Sequence, residues 1–320
     1  MSSLLVKIVT MMLTLNSERW LNKGVLTALK EAAEGYDHHL LVVDGGSTDG
    51  TVEAVRATFG DRAIILHCPE RNLAVCRNFA LDHAPTGADF YCWVDSDIVV
   101  PKNFFQRLIP LFDDPSVGTA ELTARLEGGG LGSVAGYYKE LKSADERGVK
   151  VASGGATVCL IMRPELARAI RMDGRLRRAG EDVSLHHQVT ERGYKAVVDL
   201  DEPVARHIRT PSLQEEVRRL IYRGMARALN LKLHQKVIGG SIIRATLSGL
   251  VTIAAWFLLV YGLISAAIWA FIPLPILLVR QAAKLKRPWK IHLAMVGLLL
   301  STVYLVGLLY GFFKYWVFNL

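Results

Sequence analysis

In Phe90-Tyr91-Cys92-Trp93-Val94-Asp95-Ser96-Asp97, an apolar run ends in two carboxylates one residue apart. The run predicts a buried strand over 90–94, with Asp95 and Asp97 at its C-terminal end. A buried carboxylate without a partner is costly, so such a strand end needs something to neutralise it. A divalent cation that carries a diphosphate would do so, since Mg²⁺ is usually held by one or two carboxylates plus substrate phosphates. The alternative is a loop with two solvated acids.

Three other segments strengthen the first interpretation. Leu41-Val42-Val43-Asp44-Gly45-Gly46-Ser47-Thr48-Asp49-Gly50-Thr51 is a strand that runs into a glycine-rich turn and a helix. Arg71-Asn72-Leu73-Ala74-Val75-Cys76-Arg77-Asn78 opens a second helix, and Gly180-Glu181-Asp182-Val183-Ser184-Leu185 follows much later. In this order the four segments resemble family-2 glycosyltransferases of the GT-A fold, the group that contains dolichol-phosphate mannose synthases and cellulose synthases. The resemblance covers residues 4 to 225.

The order of predicted elements indicates an α/β fold. Strands over 5–13, 40–43, 63–67 and 90–94 alternate with helices over 18–33, 50–59 and 76–83, the first two capped by Ser17 and Thr48. This alternation predicts a doubly wound, mainly parallel sheet. Ligands of such sheets bind beyond the carboxyl ends of the strands. The fold rule therefore brings Asp44 and Asp95 to one edge.

Charge and hydropathy are unevenly distributed along the 320 residues, which carry a formal net charge of +8. No charged residue occurs between Arg244 and Arg280, or between Lys290 and Lys314. Basic residues cluster beside these stretches, which favours an anionic membrane surface over nucleic acid as partner. The four cysteines form no Cys-x-x-Cys pair and are predicted to be buried free thiols.

We therefore predict a catalytic domain over 1–210, an amphipathic interface helix region over 211–244 and a transmembrane region over 245–320. Ser212 and Glu215 form a capping box that starts the amphipathic helix, for which a soluble packing helix is the alternative. The uncharged stretch 246–279 is one overlong span or two short ones, and 291–313 is a further span. Three spans are favoured over two, because the basic loop 280–290 and the catalytic domain then both face the cytoplasm.

The resemblance implies displacement at a sugar C1 with a nucleoside diphosphate as leaving group. It implies that Asp97 ligates Mn²⁺ or Mg²⁺ directly, while Asp95 lies nearer the ribose and the waters of the metal. His207 follows the last predicted strand, where some family members have a metal-binding histidine. The alternative for His207 is a packed imidazole.

The general base is expected to be Asp182, at a helix start where the dipole favours an ionised carboxylate. Glu181 is the rival base, or contacts the acceptor. By resemblance, the nucleotide base and ribose meet residues in the loops after the first two strands, and the diphosphate meets an arginine; these residues are Thr14, Asn16, Asp44 and Arg77. The first loop lacks the proline and tyrosine that the family commonly has there.

Arg206 and Arg209 flank His207 and suit bidentate binding of an acceptor phosphate. The resemblance implies an inverting, metal-dependent membrane enzyme that transfers a hexose from a nucleotide sugar to a polyprenyl- or dolichyl-linked acceptor. GDP-mannose is the first expectation for the donor. The alternatives are a glycosyltransferase with a non-lipid acceptor, or a catalytically silent GT-A module that serves as a membrane scaffold.

Overall fold

The computed structural model describes residues 5–127, 146–152, 158–209, 211–234 and 291–317. The chain forms two compact units. The first unit consists of residues 1–127 and 146–209, and the second of residues 128–145 and 210–320. The predicted spans over 246–279 and the basic loop over 280–290 lie outside the described residues.

An eight-stranded sheet forms the centre of the first unit. The strands of the described residues, in chain order, are β1 (Lys7–Thr14), β2 (Asp37–Asp44), β3 (Ala63–His67), β4 (Phe90–Val94), β5 (Ile98–Val99), β6 (Val117–Leu122), β7 (Ala124–Leu126), β8 (Val149–Val151), β9 (Cys159–Met162), β10 (Lys195–Asp199) and β11 (Ala205–His207). The large sheet has the order β3-β2-β1-β4-β9-β6-β10-β8. Strands β1 to β4 are parallel, as are β6 and β10.

Two strands run against the others. Strand β9 is antiparallel to both β4 and β6, and β8 is antiparallel to β10. The prediction of an α/β, mainly parallel sheet is confirmed. A strand over 157–162 is predicted by its apolar run, but its antiparallel direction is not, because a short apolar run has the same pattern in either direction.

Helices flank the sheet and connect its strands. Those of the described residues are α1 (Glu18–Trp20), α2 (Leu26–Ala32), α3 (Thr51–Phe59), α4 (Leu73–His83), α5 (Phe104–Leu108), α6 (Pro164–Ala169), α7 (Glu181–Glu191), α8 (Leu213–His234) and α9 (Ile291–Phe312), with short 3-10 turns at Gly60–Arg62 and Ile109–Asp113 and π-helical turns at Leu21–Val25 and Phe313–Val317. The predicted helix 18–33 is interrupted at Lys23 and Gly24, where Gly24 has a φ of 100°.

The predicted side-chain caps of the first two helical segments are wrong. Ser17 stands at the N-cap of α1 but makes no side-chain capping hydrogen bond, and its Oγ contacts Ser96 Oγ at 3.1 Å instead. Helix α3 begins after Gly50 rather than being capped by Thr48, and Asp49 Oδ1 accepts from the Thr51 amide at 3.1 Å. Both differences arise because these residues bind neighbouring loops instead. Ser17 contacts Ser96, and the Thr48 amide donates to Asn16 Oδ1.

Burial follows the parallel arrangement. Strand β1 is buried along nearly its whole length, and the central residues of β2 and β4 are buried as well. Helices cover both faces of such a sheet, so its strands consist of continuous apolar runs. The four cysteines are free and buried, as predicted. Because the interior is closed in this way, the chemistry of the unit must lie at the strand ends.

A second, three-stranded sheet has the order β5-β11-β7. Strand β11 is antiparallel to β5, with His207 opposite Ile98, and parallel to β7. The strand pairing therefore brings His207 beside the residue that follows Asp97. Three-residue strands carry no readable periodicity, so the sequence did not predict this sheet.

The second unit contains α8 and α9, which pack against each other. The predicted capping box is confirmed, because the Ser212 amide donates to Glu215 Oε2 at 2.8 Å and the Glu215 amide donates to Ser212 Oγ at 3.2 Å. The helix backbones approach closely at glycines: a Cβ on Gly224 would meet the Tyr304 carbonyl oxygen, and one on Gly307 would meet the Ile221 carbonyl oxygen. Within the described parts of the chain, no helix has the length and apolar character needed to cross a membrane.

Candidate active site

The carboxyl end of β4 and the start of α7 contain four of the acidic residues singled out above. Asp95 and Asp97 follow β4 directly, and Glu181 and Asp182 form the first turn of α7. Gly180 precedes the helix with a φ of 86°, a left-handed conformation that glycine adopts at no steric cost. A helix N-terminus attracts negative charge, so the two acids of α7 complement its dipole.

Arg77 links the two acidic groups. Its Nη2 lies 3.2 Å from Asp95 Oδ1, and its Nε lies 3.6 Å from Glu181 Oε1. The guanidinium is 4.6 Å from the centroid of the Trp93 ring, and Arg77 is only 3% exposed. One buried cation therefore faces two carboxylates, which leaves net negative charge at this edge.

Burial, together with the excess of negative charge, raises the pKa values of two of these acids, Glu181 and Asp95. The pKa of Glu181 is raised to about 7, chiefly by burial and also by the neighbouring Asp182, while Arg77 opposes the shift. Loss of hydration also raises the pKa of Asp95 to about 6, with Arg77 opposing and Asp97 adding to the shift. Both acids would be stabilised in their ionised form by added positive charge. The site is therefore suited to a cation.

Asp97 and His207 form the part of the site that best fits a metal ion. His207 Nε2 lies 3.1 Å from Asp97 Oδ2, but this ring nitrogen has no hydrogen-bond partner among the described residues. A carboxylate oxygen and an imidazole nitrogen at this separation are a donor set that Mn²⁺ accepts. The described ranges contain no group of three or more His, Cys, Asp or Glu that could hold a metal. Substrate phosphates commonly complete such a coordination sphere.

The loops after β1 and β2 hold the residues that were predicted to meet the nucleotide. Asn16, with a φ of 50°, accepts the Thr48 amide on its Oδ1 at 2.8 Å, and its own amide donates to Ser47 Oγ at 2.8 Å. Glu18 Oε2 accepts the Gly50 amide at 3.0 Å. The two loops are thus joined by hydrogen bonds in both directions.

Asp44 is the centre of this network. Its Oδ1 accepts from Thr14 Oγ1 at 2.8 Å and Ser47 Oγ at 2.5 Å, and its Oδ2 accepts from the amides of Gly46 at 2.9 Å and Ser47 at 2.8 Å. Burial by itself would raise the pKa of Asp44, but the hydrogen bonds from Ser47, Thr14 and Gly46 outweigh it and the pKa is lowered. Four donors fill the capacity of one carboxylate, so here Asp44 orders the loop.

The two arginines predicted at an acceptor phosphate lie at and beyond β11. Arg206 belongs to β11, and its Nη1 lies 2.9 Å and 3.2 Å from the two carboxylate oxygens of Glu127, with more than half of its side chain exposed. Arg209 lies two residues after the strand and is partly exposed. Arg206 precedes His207 directly, and Arg209 follows it by two residues.

Sequence reasoning missed two asparagines that hold α4 against the segment before α7. The side chain of Asn78, next to Arg77 on α4, exchanges two hydrogen bonds with the backbone of Met172, at 2.8 Å and 2.9 Å. Asn72 donates to the Gly174 carbonyl at 2.8 Å. These contacts tie α4 to the segment that leads into Glu181. The asparagine that precedes α4 and the one within it were the available signal.

Comparison with known proteins agrees with this geometry. Residues 10–134 match the family model described as glycosyl transferase family 2. The match covers less than half of the chain. The matched domain contains Thr14, Asp44, Arg77, Asp95 and Asp97. It supports the prediction that the chain is a glycosyltransferase.

Among curated proteins, a segment of 89 residues is 28% identical to the succinoglycan biosynthesis protein ExoA of Rhizobium meliloti (strain 1021). That segment covers 27% of this chain and 27% of the relative, so the match spans about a quarter of the length of that protein. It therefore carries no conclusion about the whole protein.

Several solved structures share the fold. The mannosyltransferase PcManGT from Pyrobaculum calidifontis, solved with GDP-Man and Mn²⁺, is 20% identical with a TM-score of 0.60, and the match covers 94% of this chain and 87% of that one. Glucosyl-3-phosphoglycerate synthase from Mycobacterium tuberculosis, in complex with phosphoglyceric acid, is 18% identical with a TM-score of 0.53, covering 73% and 82%. TarS residues 1–349 from S. aureus, solved with UDP-GlcNAc, is 15% identical with a TM-score of 0.51, covering 75% and 70%. At these identities the likeness shows the fold.

Proposed function

We propose that this chain transfers a hexose from a nucleotide sugar to an acceptor, with inversion at C1 and with the help of a divalent cation. The observation that carries the proposal is the contact of His207, on β11, with Asp97, which follows β4 together with Asp95. The imidazole nitrogen and the carboxylates there match what a metal-bound diphosphate requires.

In the proposed reaction an acceptor oxygen attacks C1 of the sugar, and the nucleoside diphosphate departs from the opposite face. Asp97 and His207 would hold the cation, with Asp95 beside it. When bound, the cation supplies stabilisation of the charge that develops on the leaving diphosphate. Arg77 is buried and already paired with Asp95, so in this scheme it holds the carboxylates rather than the diphosphate.

Asp182 is the proposed general base. It is partly exposed at the start of α7, whereas Glu181 is buried against Arg77. A base must reach the acceptor hydroxyl and take up its proton during attack. The exposed acid can do this more readily than the buried one, so Asp182 is assigned the proton and Glu181 the positioning of Arg77.

We propose GDP-mannose as the donor and a polyprenyl- or dolichyl-linked acceptor at the cytoplasmic face of the membrane. The support for the donor is the structurally similar mannosyltransferase solved with GDP-Man and Mn²⁺. The support for the acceptor is the placement of basic residues beside uncharged stretches of the sequence, and of Arg206 and Arg209 next to His207. Guanidinium groups bind phosphate oxygens in a bidentate manner.

The proposal is tested by offering purified protein a panel of GDP- and UDP-sugars with Mn²⁺ and polyprenyl phosphate or polyprenyl-linked sugars. We expect transfer from one donor and loss of transfer in EDTA. Transfer that is undiminished in EDTA would contradict the role of the cation.

The acceptor is tested separately by Arg209→Glu. Charge reversal should raise the KM for a lipid phosphate acceptor by at least about tenfold, since a hydrogen bond to a charged group contributes roughly 1.5–3 kcal/mol, with little change for the nucleotide sugar. Equal losses for donor and acceptor would place Arg209 outside the acceptor site. Efficient transfer to a water-soluble acceptor would favour the non-lipid alternative.

A further inference from the structure

A buried pair of side chains, Glu121 and His186, has no part in the mechanism above. Glu121 lies on β6 and His186 on α7, and His186 Nε2 is 3.7 Å from Glu121 Oε2. Their side chains are 11% and 6% exposed. Neither ring nitrogen of His186 has a hydrogen-bond partner among the described residues. Such an imidazole is costly in a core, so its presence calls for a physical reason.

The strand register places Glu121 in one row with Trp93, the residue on which Arg77 of the candidate active site stacks. Trp93 on β4 and Glu121 on β6 both lie opposite Leu160 of β9. Residues directly opposite each other in an antiparallel pair share one face of the sheet. The row Trp93–Leu160–Glu121 therefore runs across the sheet on the face where Arg77 stacks on Trp93.

Helix α7 meets this row at two points. At its first residue, Glu181 contacts Arg77, which rests on Trp93. At its sixth residue, His186 meets Glu121. Asp182 lies four positions before His186, and residues four apart occupy the same face of a helix, one turn from each other. Two attachments to the sheet fix both the tilt and the rotation of the helix, and Asp182 lies between them.

We propose that Glu121 and His186 are positioning residues for Asp182, holding the first turn of α7 in the orientation that presents the base to the acceptor. This inference rests on the proposed function. An apolar pair at these positions could pack as well and would avoid the burial of two polar groups. The polar pair is directional, and its contact changes if the helix rotates or slides.

The decisive variant is the double substitution Glu121→Met with His186→Leu. It removes both buried polar groups together, so the stability of the protein should be kept or raised. We expect kcat to fall about 10- to 100-fold, because small misplacements of a catalytic group have effects of this size. The KM for the nucleotide sugar should stay within about twofold, since the metal and diphosphate site is on β4 and β11. His186→Gln, which retains a donor for Glu121, should recover most of kcat.

His38 provides the matched control. It is a buried histidine of the same unit, 2% exposed, and its Nε2 lies 2.8 Å from Thr10 Oγ1. It pairs with Ile8 near the start of the strands, away from their carboxyl ends. His38→Leu should change the melting temperature and leave kcat as in the wild type.

The outcomes separate the two levels of the argument. A double variant that folds and has the wild-type kcat overturns the positioning role and leaves the proposed function intact. A fall in kcat that His38→Leu reproduces also overturns it, because general destabilisation then accounts for the loss. A wild-type protein that transfers no sugar contradicts the proposed function itself, and the positioning role with it.

Discussion

The loops after β1 and β2 differ from the edge formed by β4 and α7 in how their polar groups are satisfied. In the loops, Asp44 accepts four hydrogen bonds, and Asn16 exchanges hydrogen bonds with Ser47 and Thr48. At the edge, buried polar atoms have no hydrogen-bond partner among the described residues. They are Arg77 Nε and Nη1, Glu181 Oε2 and His207 Nε2.

Native proteins satisfy nearly all of their buried polar groups, so each exception needs an explanation. In the loops, the hydrogen bonds of Asp44 and Asn16 are satisfied without a ligand, so these loops support the site. The edge contains Asp95 and Glu181, whose pKa values are raised, and an imidazole nitrogen of His207 that makes no hydrogen bond among the described residues. Perturbed acids that cluster in this way mark functional sites. The contrast therefore assigns chemistry to the edge and support to the loops, and substitutions in the two regions should have different consequences.

The largest effect is expected for Asp97→Ala at the edge. Removing the proposed metal ligand should lower kcat/KM for transfer by at least about 10³-fold, since a catalytic cation contributes several kcal/mol of transition-state stabilisation. Unfolding by urea should show little change, because removing one of several clustered acids relieves repulsion. If the variant transfers sugar normally, the edge does not hold the cation and the contrast fails at its main point.

Asp182→Asn should lower kcat by about 10²–10⁴-fold, the range of general-base catalysis. Binding of the nucleotide should persist, because Asp182 lies on α7 rather than beside Asp97. Glu181→Gln is the matched variant, and we expect it to lower kcat less. The reverse order of these two losses would make Glu181 the base.

Acid should destabilise the first unit through His38, which lies near the start of β2 and is remote from the edge. Burial lowers the pKa of His38 from 6.5 to about 4, with His39 and Arg62 adding to the shift. The unfolded chain therefore binds a proton at a higher pH than the folded one, so stability is kept above about pH 6.5 and is lost as the pH falls towards 4. The loss approaches roughly 3 kcal/mol. Urea unfolding across this range should show it in the wild type, and His38→Leu should flatten the curve.

Asp44→Asn in the loops should act on stability. An amide nitrogen would replace one carboxylate oxygen and would face donors of Thr14 and Ser47 or of Gly46 and Ser47. An unsatisfied buried donor costs about 1–3 kcal/mol. We expect a loss of this size in urea unfolding, with a smaller effect on kcat than at Asp182. A variant of full stability that fails to bind nucleotide would show that Asp44 contacts the donor.

The local pattern of the sequence predicted most of the first unit. Strands at 63–67 and 90–94 were predicted with the bounds observed. Runs of apolar residues and flanking turn signals suffice for such elements. Strand direction was not predictable, because the apolar run 159–162 pairs antiparallel for reasons that lie in its neighbours β4 and β6.

The candidate site was predicted in part. The motif order placed Asp95, Asp97, Glu181 and Asp182 in one region, and the sheet does bring them to one edge. The contact of His207 with Asp97 depends on pairing between three-residue strands, and the burial of Arg77 between two acids depends on the approach of α4 and α7. Such long-range packing leaves no periodic signal in the sequence.

Calorimetric titration of the wild-type protein with GDP or UDP, in Mn²⁺ and in EDTA, tests the central claim most directly. The nucleoside diphosphate and the cation should bind together at the edge. We therefore predict that one of the two nucleotides binds in Mn²⁺, that EDTA abolishes this binding, and that Asp97→Ala behaves in Mn²⁺ as the wild type does in EDTA. Binding of equal strength in Mn²⁺ and EDTA, or a wild-type response from Asp97→Ala, would contradict the account.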